Sequence, residues 1–345
     1  MHAITKTRGE RPVRRRSDEV VVITGASAGV GRATARAFAR HGARVGLIAR
    51  DADALRATCD DVEALGGKAA MCVADVARPA EVESAAASIE ERLGPIDVWV
   101  NNAMVTVMGP VAELDPDEVR RVTEVTYLGT VNGTLAALTR MRERNRGTIV
   151  QVGSALAYRA IPLQAPYCGA KFAIRGFTDA LRSELLHDHS RVHVTMVQMP
   201  ALNTPQFDWC RTRLPRTPRP VPPVFQPEVA ARAIVWAAHH RRRELFVGAP
   251  TAKAIWANKL VPGLLDRYLA RFGYTSQMSP VRVAPDRPDN LFAPVRGDRG
   301  AHGRFDAESR PASVELWLAT HRWVGLLALA GLAGAALKLA KDARR

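Results

Sequence analysis

Seven short apolar runs recur along the chain, and helix-like stretches separate most of them. The runs are Glu19–Ile23, Arg44–Ala49, Ala69–Ala74, Val98–Asn101, Thr148–Val152, Val192–Gln198 and Leu245–Val247. Apolar runs without alternation predict strands that are covered on both faces, as in a parallel sheet. The helix-like stretches are Gly31–His41, Asp53–Leu65, Ala80–Leu93, Asp117–Met141, Tyr167–His187 and Glu228–His240. This alternation predicts a single doubly wound α/β domain over residues 19–275.

Three stretches depart from this pattern. Residues 1–18 are rich in arginine, lack periodicity and are predicted to form a flexible basic arm. Residues 200–227 contain eight prolines, which exclude a regular helix or a central strand and predict a long, lid-like loop. Residues 276–311, rich in Pro, Gly, Asp and Arg, predict an extended linker.

The last segment, residues 312–345, contains a hydrophobic helix candidate. Residues 323–337 carry no charge, and as a helix they span about 22 Å, short of the roughly 30 Å hydrocarbon core of a bilayer. Extension to Ala340, with Lys338 reaching towards the surface, gives about 27 Å. We expect membrane contact through residues 323–340. The alternative is a helix that docks on the enzyme itself or on a second subunit.

Composition limits the class of protein. An apolar share of 47% excludes disorder over most of the 345 residues. The net charge of +15 could suggest nucleic acid, but no zinc spacing, RNP-like motif or recognition helix supports that interpretation. A solvated basic surface, or attraction to anionic lipid, is favoured instead.

The four cysteines predict neither a metal site nor a disulfide framework. Cys59, Cys72, Cys168 and Cys210 form no CxxC pair, and no apolar secretory signal precedes them. Buried structural thiols in a cytoplasmic, reducing compartment are the expectation.

A glycine-rich loop follows the first predicted strand and precedes a helix. Its residues are Thr24, Gly25, Ala26, Ser27, Ala28, Gly29, Val30 and Gly31. The glycines let the backbone turn tightly and approach a pyrophosphate, while the helix presents free N–H groups and the positive end of its dipole. A strand–loop–helix context makes a dinucleotide site a specific prediction.

The end of the second strand bears on cofactor choice. An acidic residue there would bind the ribose 2′-hydroxyl of NAD(H), but Ala49 occupies the place and Arg50 follows. A guanidinium suits a 2′-phosphate, so NADP(H) is favoured over NAD(H). In the alternative, Arg50 is solvated and Asp51 binds the ribose, although Asp51 also suits the N-cap of the next helix.

A serine, a tyrosine and a lysine form the candidate catalytic group. Ser154 ends the fifth strand, Tyr167 comes thirteen residues later, and Lys171 lies one helical turn beyond Tyr167. A lysine ammonium on the same helix face is expected to lower the tyrosine pKa towards neutrality. Tyr167 could then serve as a general acid or base near pH 7.

Together these motifs resemble the short-chain dehydrogenase/reductase (SDR) family over roughly residues 19–250. The matching motifs are Thr24-Gly25-xxx-Gly29-x-Gly31, Asp75-Val76, Asn101-Asn102-Ala103, Ser154 and Tyr167-xxx-Lys171. The resemblance implies a Rossmann-type domain with a seven-stranded parallel sheet of order 3-2-1-4-5-6-7. It also implies hydride transfer between a nicotinamide cofactor and an alcohol or carbonyl compound, and a homo-oligomer paired through the helix near Tyr167.

The resemblance also implies roles for single residues. Ser154 would polarise the substrate oxygen, Tyr167 would transfer the proton, and Lys171 would bind the nicotinamide ribose and tune Tyr167. Asp75 and Val76 would contact the adenine. Further residues placed at the cofactor by the resemblance are Asn102, Ala103, Pro200 and Thr204, the last near the carboxamide, while Asn101 would support the central strand.

The sequence departs from the family pattern at three positions. Thr126 stands where many members have an asparagine that completes a proton relay, and we expect a changed relay rather than an inactive site. Met104 and Ala201 replace glycines near the expected nicotinamide pocket.

The loop of residues 200–227 bears on the substrate. Its apolar residues, Leu202, Phe207, Trp209 and Leu214, would suit a lipophilic alcohol or carbonyl compound, whereas a rigid surface loop would play no part in selection. Two other functions remain open: a scaffold that binds NADP(H) without catalysis, and a membrane-surface adaptor.

Overall fold

A computed structural model describes residues 18–321, and its centre is a seven-stranded parallel sheet. The strands are β1 Val20–Thr24, β2 Arg44–Ala49, β3 Lys68–Val73, β4 Val98–Asn101, β5 Gly147–Ser154, β6 Val192–Met199 and β7 Glu244–Phe246. Their spatial order is β3-β2-β1-β4-β5-β6-β7, which confirms the predicted fold class and strand order. The direction in which successive strands are added reverses beside β1. A crevice therefore forms at the carboxyl ends of β1 and β4.

The apolar runs form strands because both faces of the sheet are covered. All five residues of β1 are buried. Val21 and Ile23 belong to one buried cluster, with Phe38, whereas Val20 and Val22 belong to the cluster on the opposite face. Alternate side chains of a strand point to opposite faces, so an unbroken apolar run is what a doubly covered sheet requires.

Helices flank the sheet. They are α1 Gly29–Ala39, α2 Ala52–Ala64, α3 Pro79–Leu93, α4 Pro116–Val122, α5 Gly129–Glu143, α6 Ala165–His187, α7 Gln206–Trp209, α8 Pro227–His239, α9 Ala249–Leu260, α10 Pro262–Phe272 and α11 Val314–Thr320. Helices α4 and α5 occupy the stretch predicted as one helix, and the π-helical turn Thr123–Leu128 joins them. π-Helical turns are rare in proteins, and those that occur are often found at functional sites.

The proline-rich loop, residues 200–227, is ordered by pairing with other parts of the chain. Arg211–Thr212 pairs with Val107–Met108, and Arg216–Pro218 pairs with Met278–Arg282. No part of this loop enters the central sheet, as the prolines predict.

Residues 276–311 differ from the extended linker that their composition predicts. Ser309–Arg310 pairs with Val224–Phe225, and Leu291, Ala301 and Phe305 are buried. The segment packs on the α/β domain because its few apolar residues find partners there, which a local count of Pro, Gly and charged residues does not reveal.

The terminal predictions fall largely outside the described residues. The basic arm, apart from Asp18, and the hydrophobic segment 323–340 both lie there. Within residues 18–321, no helix has the length and apolar character needed to cross a bilayer.

Candidate active site

The glycine loop lies at the carboxyl end of β1 and opens α1. Gly25 and Gly29 have φ values of +64° and +54°, in the left-handed region that favours glycine. A Cβ on Gly31 would lie 2.1 Å from the carbonyl oxygen of Gly25. The N-cap residue of α1, Ala28, makes no side-chain cap. The loop thus has the tight turn and helix N-terminus expected of a pyrophosphate site.

Thr24 and Asn102 hold this loop against β4. The Thr24 hydroxyl accepts hydrogen bonds from the backbone N–H groups of Asn102 and Ala103, at 3.0 and 3.1 Å. The Asn102 amide donates to the carbonyl oxygens of Thr24 and Gly25, at 3.0 and 3.1 Å. The two predicted motifs therefore support each other in space.

Asn101 supports β4 from inside the fold. Its side chain, 3% exposed, donates to Thr134 and Gln151, each at 3.0 Å, and accepts from the Trp99 indole at 2.8 Å. These bonds satisfy its buried polar atoms and place it in the core rather than in the cleft.

Arg50 and Asp51 lie together at the end of β2, on the cleft formed around the glycine loop. The Arg50 guanidinium donates to three consecutive backbone carbonyls, those of Asn290, Leu291 and Phe292, at 2.5 to 3.4 Å. Burial lowers its pKa, although Asp75 acts in the opposite direction.

Asp51 caps α2, as the sequence suggested. Its carboxylate accepts from the N–H of Ala54 at 2.9 Å and from the N–H of Gly297 at 3.3 Å.

Asp75 and Val76 line the same cleft beyond β3. Burial opposes ionisation of the Asp75 carboxyl, but hydrogen bonds from Arg121 and from the N–H of Ala77 lower its pKa. Asp75 is thus a charged carboxylate in an ion pair with Arg121. Val76 is 4% exposed and forms an apolar part of the cleft wall.

Ser154, Tyr167 and Lys171 line one cavity, as predicted. Ser154 ends β5, whereas the other two lie on the first turns of α6. The Ser154 hydroxyl is hydrogen-bonded to Tyr167 and accepts from the N–H of Leu156 at 3.1 Å. Lys171 Nζ lies 5.5 Å from the centre of the Tyr167 ring. The serine, the phenol and the ammonium are therefore neighbours.

The pKa of Tyr167 differs from the sequence-based expectation. Burial raises it, with the Ser154 hydrogen bond acting in the opposite direction, so the phenol is protonated at neutral pH. Lys171 is not among the groups that shift the Tyr167 pKa, and its Nζ donates to the carbonyl oxygen of Val152 at 2.7 Å. Burial lowers the pKa of Lys171 to about 8, so its ammonium stays largely charged at pH 7.

Thr126 lies on the π-helical turn and is fully buried. Its hydroxyl donates to the carbonyl oxygen of Val105 at 2.9 Å and accepts from the N–H of the same residue at 3.2 Å. Thr126 is not among the residues that line the catalytic cavity, whereas its neighbour Val125 lines the cofactor cleft. The structure thus does not bring Thr126 together with Tyr167.

The catalytic cavity has a volume of about 280 Å³ and a largely apolar wall. The proline-rich loop supplies Leu202, Phe207 and Pro220–Pro223, and Pro200 lies at its start. Of its other predicted apolar residues, Trp209 lines the cofactor cleft and Leu214 is buried away from both.

The cleft and the cavity adjoin each other, because they share five lining residues. These are Val30, Asn102, Met104, Thr204 and Gln206. Thr204 therefore lies at the junction where the resemblance implies a carboxamide contact, and Met104 narrows the same junction.

One wall of the cofactor cleft was not predicted from the sequence. Asn290, Pro294, Val295, Gly297 and Arg299, all from the stretch predicted as a linker, line the cleft opposite the glycine loop and Arg50. The apolar residues of this stretch, among them Leu291, Val295 and Phe305, are scattered between polar residues and prolines, and such a pattern does not specify a contact. Within residues 18–321, no cluster of side chains suited to a metal ion is present.

Comparisons with known proteins agree with this geometry. A family model described as short chain dehydrogenase matches residues 19–212. The uncharacterized oxidoreductase YxnA of Bacillus subtilis is 32% identical over 289 residues, covering 83% of this chain and 80% of the relative.

Two further relatives match a shorter part of the chain. The 3-dehydrosphinganine reductase of Danio rerio is 36% identical over 192 residues, 54% of this chain and 57% of the relative. The putative oxidoreductase SadH of Mycobacterium tuberculosis (strain ATCC 25618 / H37Rv) is 36% identical over 186 residues, 54% of this chain and 67% of the relative. With the Rossmann-type sheet, the glycine loop and these matches in place, the chain belongs to the short-chain dehydrogenase/reductase family of oxidoreductases, which use NAD(H) or NADP(H).

Proposed function

We propose that the protein transfers a hydride between NADP(H) and a lipophilic alcohol or carbonyl compound, with Tyr167 as general acid or base. One observation carries this proposal. Ser154, Tyr167 and Lys171 line a single apolar cavity, and that cavity adjoins the cleft of the glycine loop and shares five lining residues with it. A proton donor and a dinucleotide site at one junction are what hydride transfer to a carbonyl group requires.

The cleft fits a dinucleotide. Gly25 and Gly31 have no side chain at positions where an added Cβ would collide with neighbouring backbone atoms. The backbone of the loop can therefore approach a pyrophosphate closely. Residues proposed to hold the cofactor are Thr24, Gly25, Ser27, Ala28, Gly29, Val30, Gly31, Arg50, Asp75, Val76, Asn102, Ala103, Tyr167, Lys171, Pro200 and Thr204. When bound, the nicotinamide supplies the hydride to a carbonyl carbon or accepts it from an alcohol carbon.

The three catalytic residues divide the proton chemistry. In the reducing direction the Tyr167 hydroxyl donates its proton to the carbonyl oxygen as the hydride adds to carbon, and solvent later restores that proton. The Ser154 hydroxyl donates a hydrogen bond to the same oxygen and stabilises the charge that develops there. The Lys171 ammonium, charged below a pKa of about 8, stabilises the tyrosinate that remains. Oxidation follows the reverse path.

A lipophilic substrate is supported by the wall of the cavity. Met108, Leu156, Ile161, Phe207 and Val221 face the space beside the catalytic group. Burial of an alkyl chain against such a wall stabilises binding by about 25 cal/mol per Å² of apolar surface. The name of the Danio rerio relative, a 3-dehydrosphinganine reductase, points to the same class of substrate.

The test is oxidation of NADPH in the presence of hydrophobic aldehydes, ketones and quinones. Tyr167→Phe should reduce turnover by about 100- to 10,000-fold, because it removes the general acid, while leaving NADPH binding nearly unchanged. Tyr158→Phe is the matched control, since the Tyr158 hydroxyl bonds to Glu244, and Tyr158 is not among the cavity-lining residues. Equal turnover in Tyr167→Phe and wild type would contradict the role of Tyr167.

A second function, an NADP(H)-binding scaffold without catalysis, has one observation in its favour. Thr126 is engaged with Val105 and leaves the family's relay position without a group in the cavity. NADPH binding without turnover of any compound in the panel would favour this scaffold over the enzyme.

Three further proposals concern the setting of the enzyme. We propose a cytoplasmic homo-oligomer that contacts the membrane through residues 323–340. Truncation after residue 311 should move the protein from the membrane fraction to the supernatant, and light scattering on the full chain should give more than one subunit. Full-length protein found wholly in the supernatant would contradict the membrane contact.

A further inference from the structure

The residues after the family match supply a cover over the cofactor cleft. We call residues 289–303 the cover segment. Its backbone contacts two parts of the cofactor site: the carbonyl oxygen of Gly300 accepts from the N–H of Gly29 at 3.1 Å, and the N–H of Gly297 donates to Asp51 at 3.3 Å. Asp298, between these two contacts, forms an ion pair with Arg32 of α1. The cover segment thus crosses from the end of β2 to the glycine loop.

Arg50 alone is poorly placed to select a 2′-phosphate. Its two terminal nitrogens already donate to the carbonyls of residues 290–292 in the cover segment. Asp51 also lines the cleft, and its carboxylate would repel a phosphate dianion nearby. A second cation at this end of the cleft would offset that repulsion.

Arg299 is such a cation. It lies between Gly297, which contacts Asp51, and Gly300, which contacts Gly29, and it is one of the residues that line the cleft. The adenosine ribose of a dinucleotide lies between the glycine loop and the end of the second strand, so a phosphate on its 2′-oxygen falls in this interval. Arg299 is exposed, and within residues 18–321 it has neither a hydrogen-bond nor an ion-pair partner.

We propose that Arg299 is a ligand of the cofactor's 2′-phosphate, supplied by the cover segment from outside the family-matched region. The proposal rests on the proposed use of NADP(H). A planar guanidinium without partners can form two parallel, charge-assisted hydrogen bonds to a phosphate. Arg50 then has a double role, since it anchors the cover segment and adds positive charge beside the phosphate.

The test measures nucleotide binding by the full chain, not activity. The probes are NADPH and NADH, followed by nucleotide fluorescence, and adenosine 2′,5′-bisphosphate with AMP as competitors. Arg299→Ala should weaken NADPH and the bisphosphate by about 10-fold or more and change NADH and AMP by less than about 2-fold. Arg299→Lys should lose part of the affinity. Arg296→Ala is the matched control, because Arg296 is exposed on the same segment but is not among the residues lining the cleft.

Each other outcome decides against the proposal. Unchanged NADPH affinity in Arg299→Ala, with the variant's thermal unfolding like that of wild type, would remove Arg299 from the site. Equal weakening of NADPH and NADH would place the guanidinium at the pyrophosphate instead. If wild type binds NADH as tightly as NADPH, the proposed cofactor preference itself fails. If Arg50→Ala changes the ratio of NADPH to NADH affinity and Arg299→Ala does not, the preference for NADP(H) stands and only the role of Arg299 fails.

Discussion

The two walls of the cofactor cleft differ in what holds them. The inner wall consists of the glycine loop and the ends of β2 to β4, and its residues follow strands that are paired along their length. The outer wall is the cover segment, whose carbonyls at residues 290–292 are held by Arg50 across about 240 residues of sequence. Arg121 adds a bond to the carbonyl oxygen of Leu291 at 3.1 Å.

The two walls therefore differ in how readily a single substitution can alter them. The inner wall is built from backbone geometry that any member of the family needs in order to hold a dinucleotide. The outer wall is held by separate contacts with distant parts of the chain, among them the Arg50 bonds to its carbonyls, which are individually weak and can be altered singly. Four substitutions distinguish the walls, in order of decreasing expected effect.

Gly31→Ala should disrupt the inner wall most. The added Cβ would lie 2.1 Å from the carbonyl oxygen of Gly25 and 2.7 Å from Asn102 Nδ2, so the loop must move. We expect a loss of about 3 kcal/mol in the free energy of unfolding and loss of NADPH binding, measured by denaturant titration and fluorescence. Gly176→Ala is the control: nothing lies within 4 Å of its added Cβ, and a better helix former should stabilise α6 by about 0.5–1 kcal/mol. A folded, NADPH-binding Gly31→Ala protein would contradict the assigned geometry.

Leu291→Ala should detach the outer wall while leaving the sheet folded. Leu291 is 0% exposed and belongs to the same buried cluster as Val105, so truncation removes about 2–4 kcal/mol of packing. Trypsin should then cleave faster at the arginines of the cover segment, as followed by mass spectrometry. Phe292, the next residue, is 54% exposed, so trypsin should cleave the Phe292→Ala variant at the wild-type rate. Equal cleavage rates in the two variants would mean that Leu291 does not hold the cover.

Arg50→Ala should act on both walls at once. It removes three bonds to the cover segment and a charge from the cleft, so NADPH should bind about 10- to 100-fold more weakly and NADH should change less. Arg56→Ala is the control, because Arg56 is exposed on α2 and, among residues 18–321, forms its ion pair with Asp53 of the same helix. An unchanged ratio of NADPH to NADH affinity would remove Arg50 from the selection of the cofactor.

The smallest effect concerns Lys171, behind the inner wall. Burial lowers its pKa to about 8, whereas in the unfolded chain the lysine keeps its proton up to about pH 10.4. Between these values the unfolded state binds more protons, so stability should rise with pH. From pH 7 to pH 9 this contributes about 1 kcal/mol to the free energy of unfolding, measured as the difference between wild type and Lys171→Met. Parallel pH profiles for the two proteins would show that Lys171 is not buried in this way.

The proximity of Ser154, Tyr167 and Lys171 was largely predictable because these residues are local or lie at strand ends. Tyr167 and Lys171 share a helix, and Ser154 ends the strand beside it, so spacing alone indicates their proximity. The pKa of Tyr167 was not predictable, because it depends on burial and on where the Lys171 ammonium points. Thr126 lies on a helical turn inside the predicted helix Asp117–Met141, but only the fold shows that its hydroxyl bonds to Val105.

By itself the sequence determined the alternation of strands and helices, the glycine turn and the candidate catalytic side chains, because these follow from periodicity and from spacing along the chain, whereas the strand order came from the family resemblance. Only the tertiary structure decided that residues 289–303 form the outer wall and that Arg50 holds their backbone. Those contacts join residues more than two hundred positions apart, and each relies on a shape complementarity that no local pattern of residues encodes.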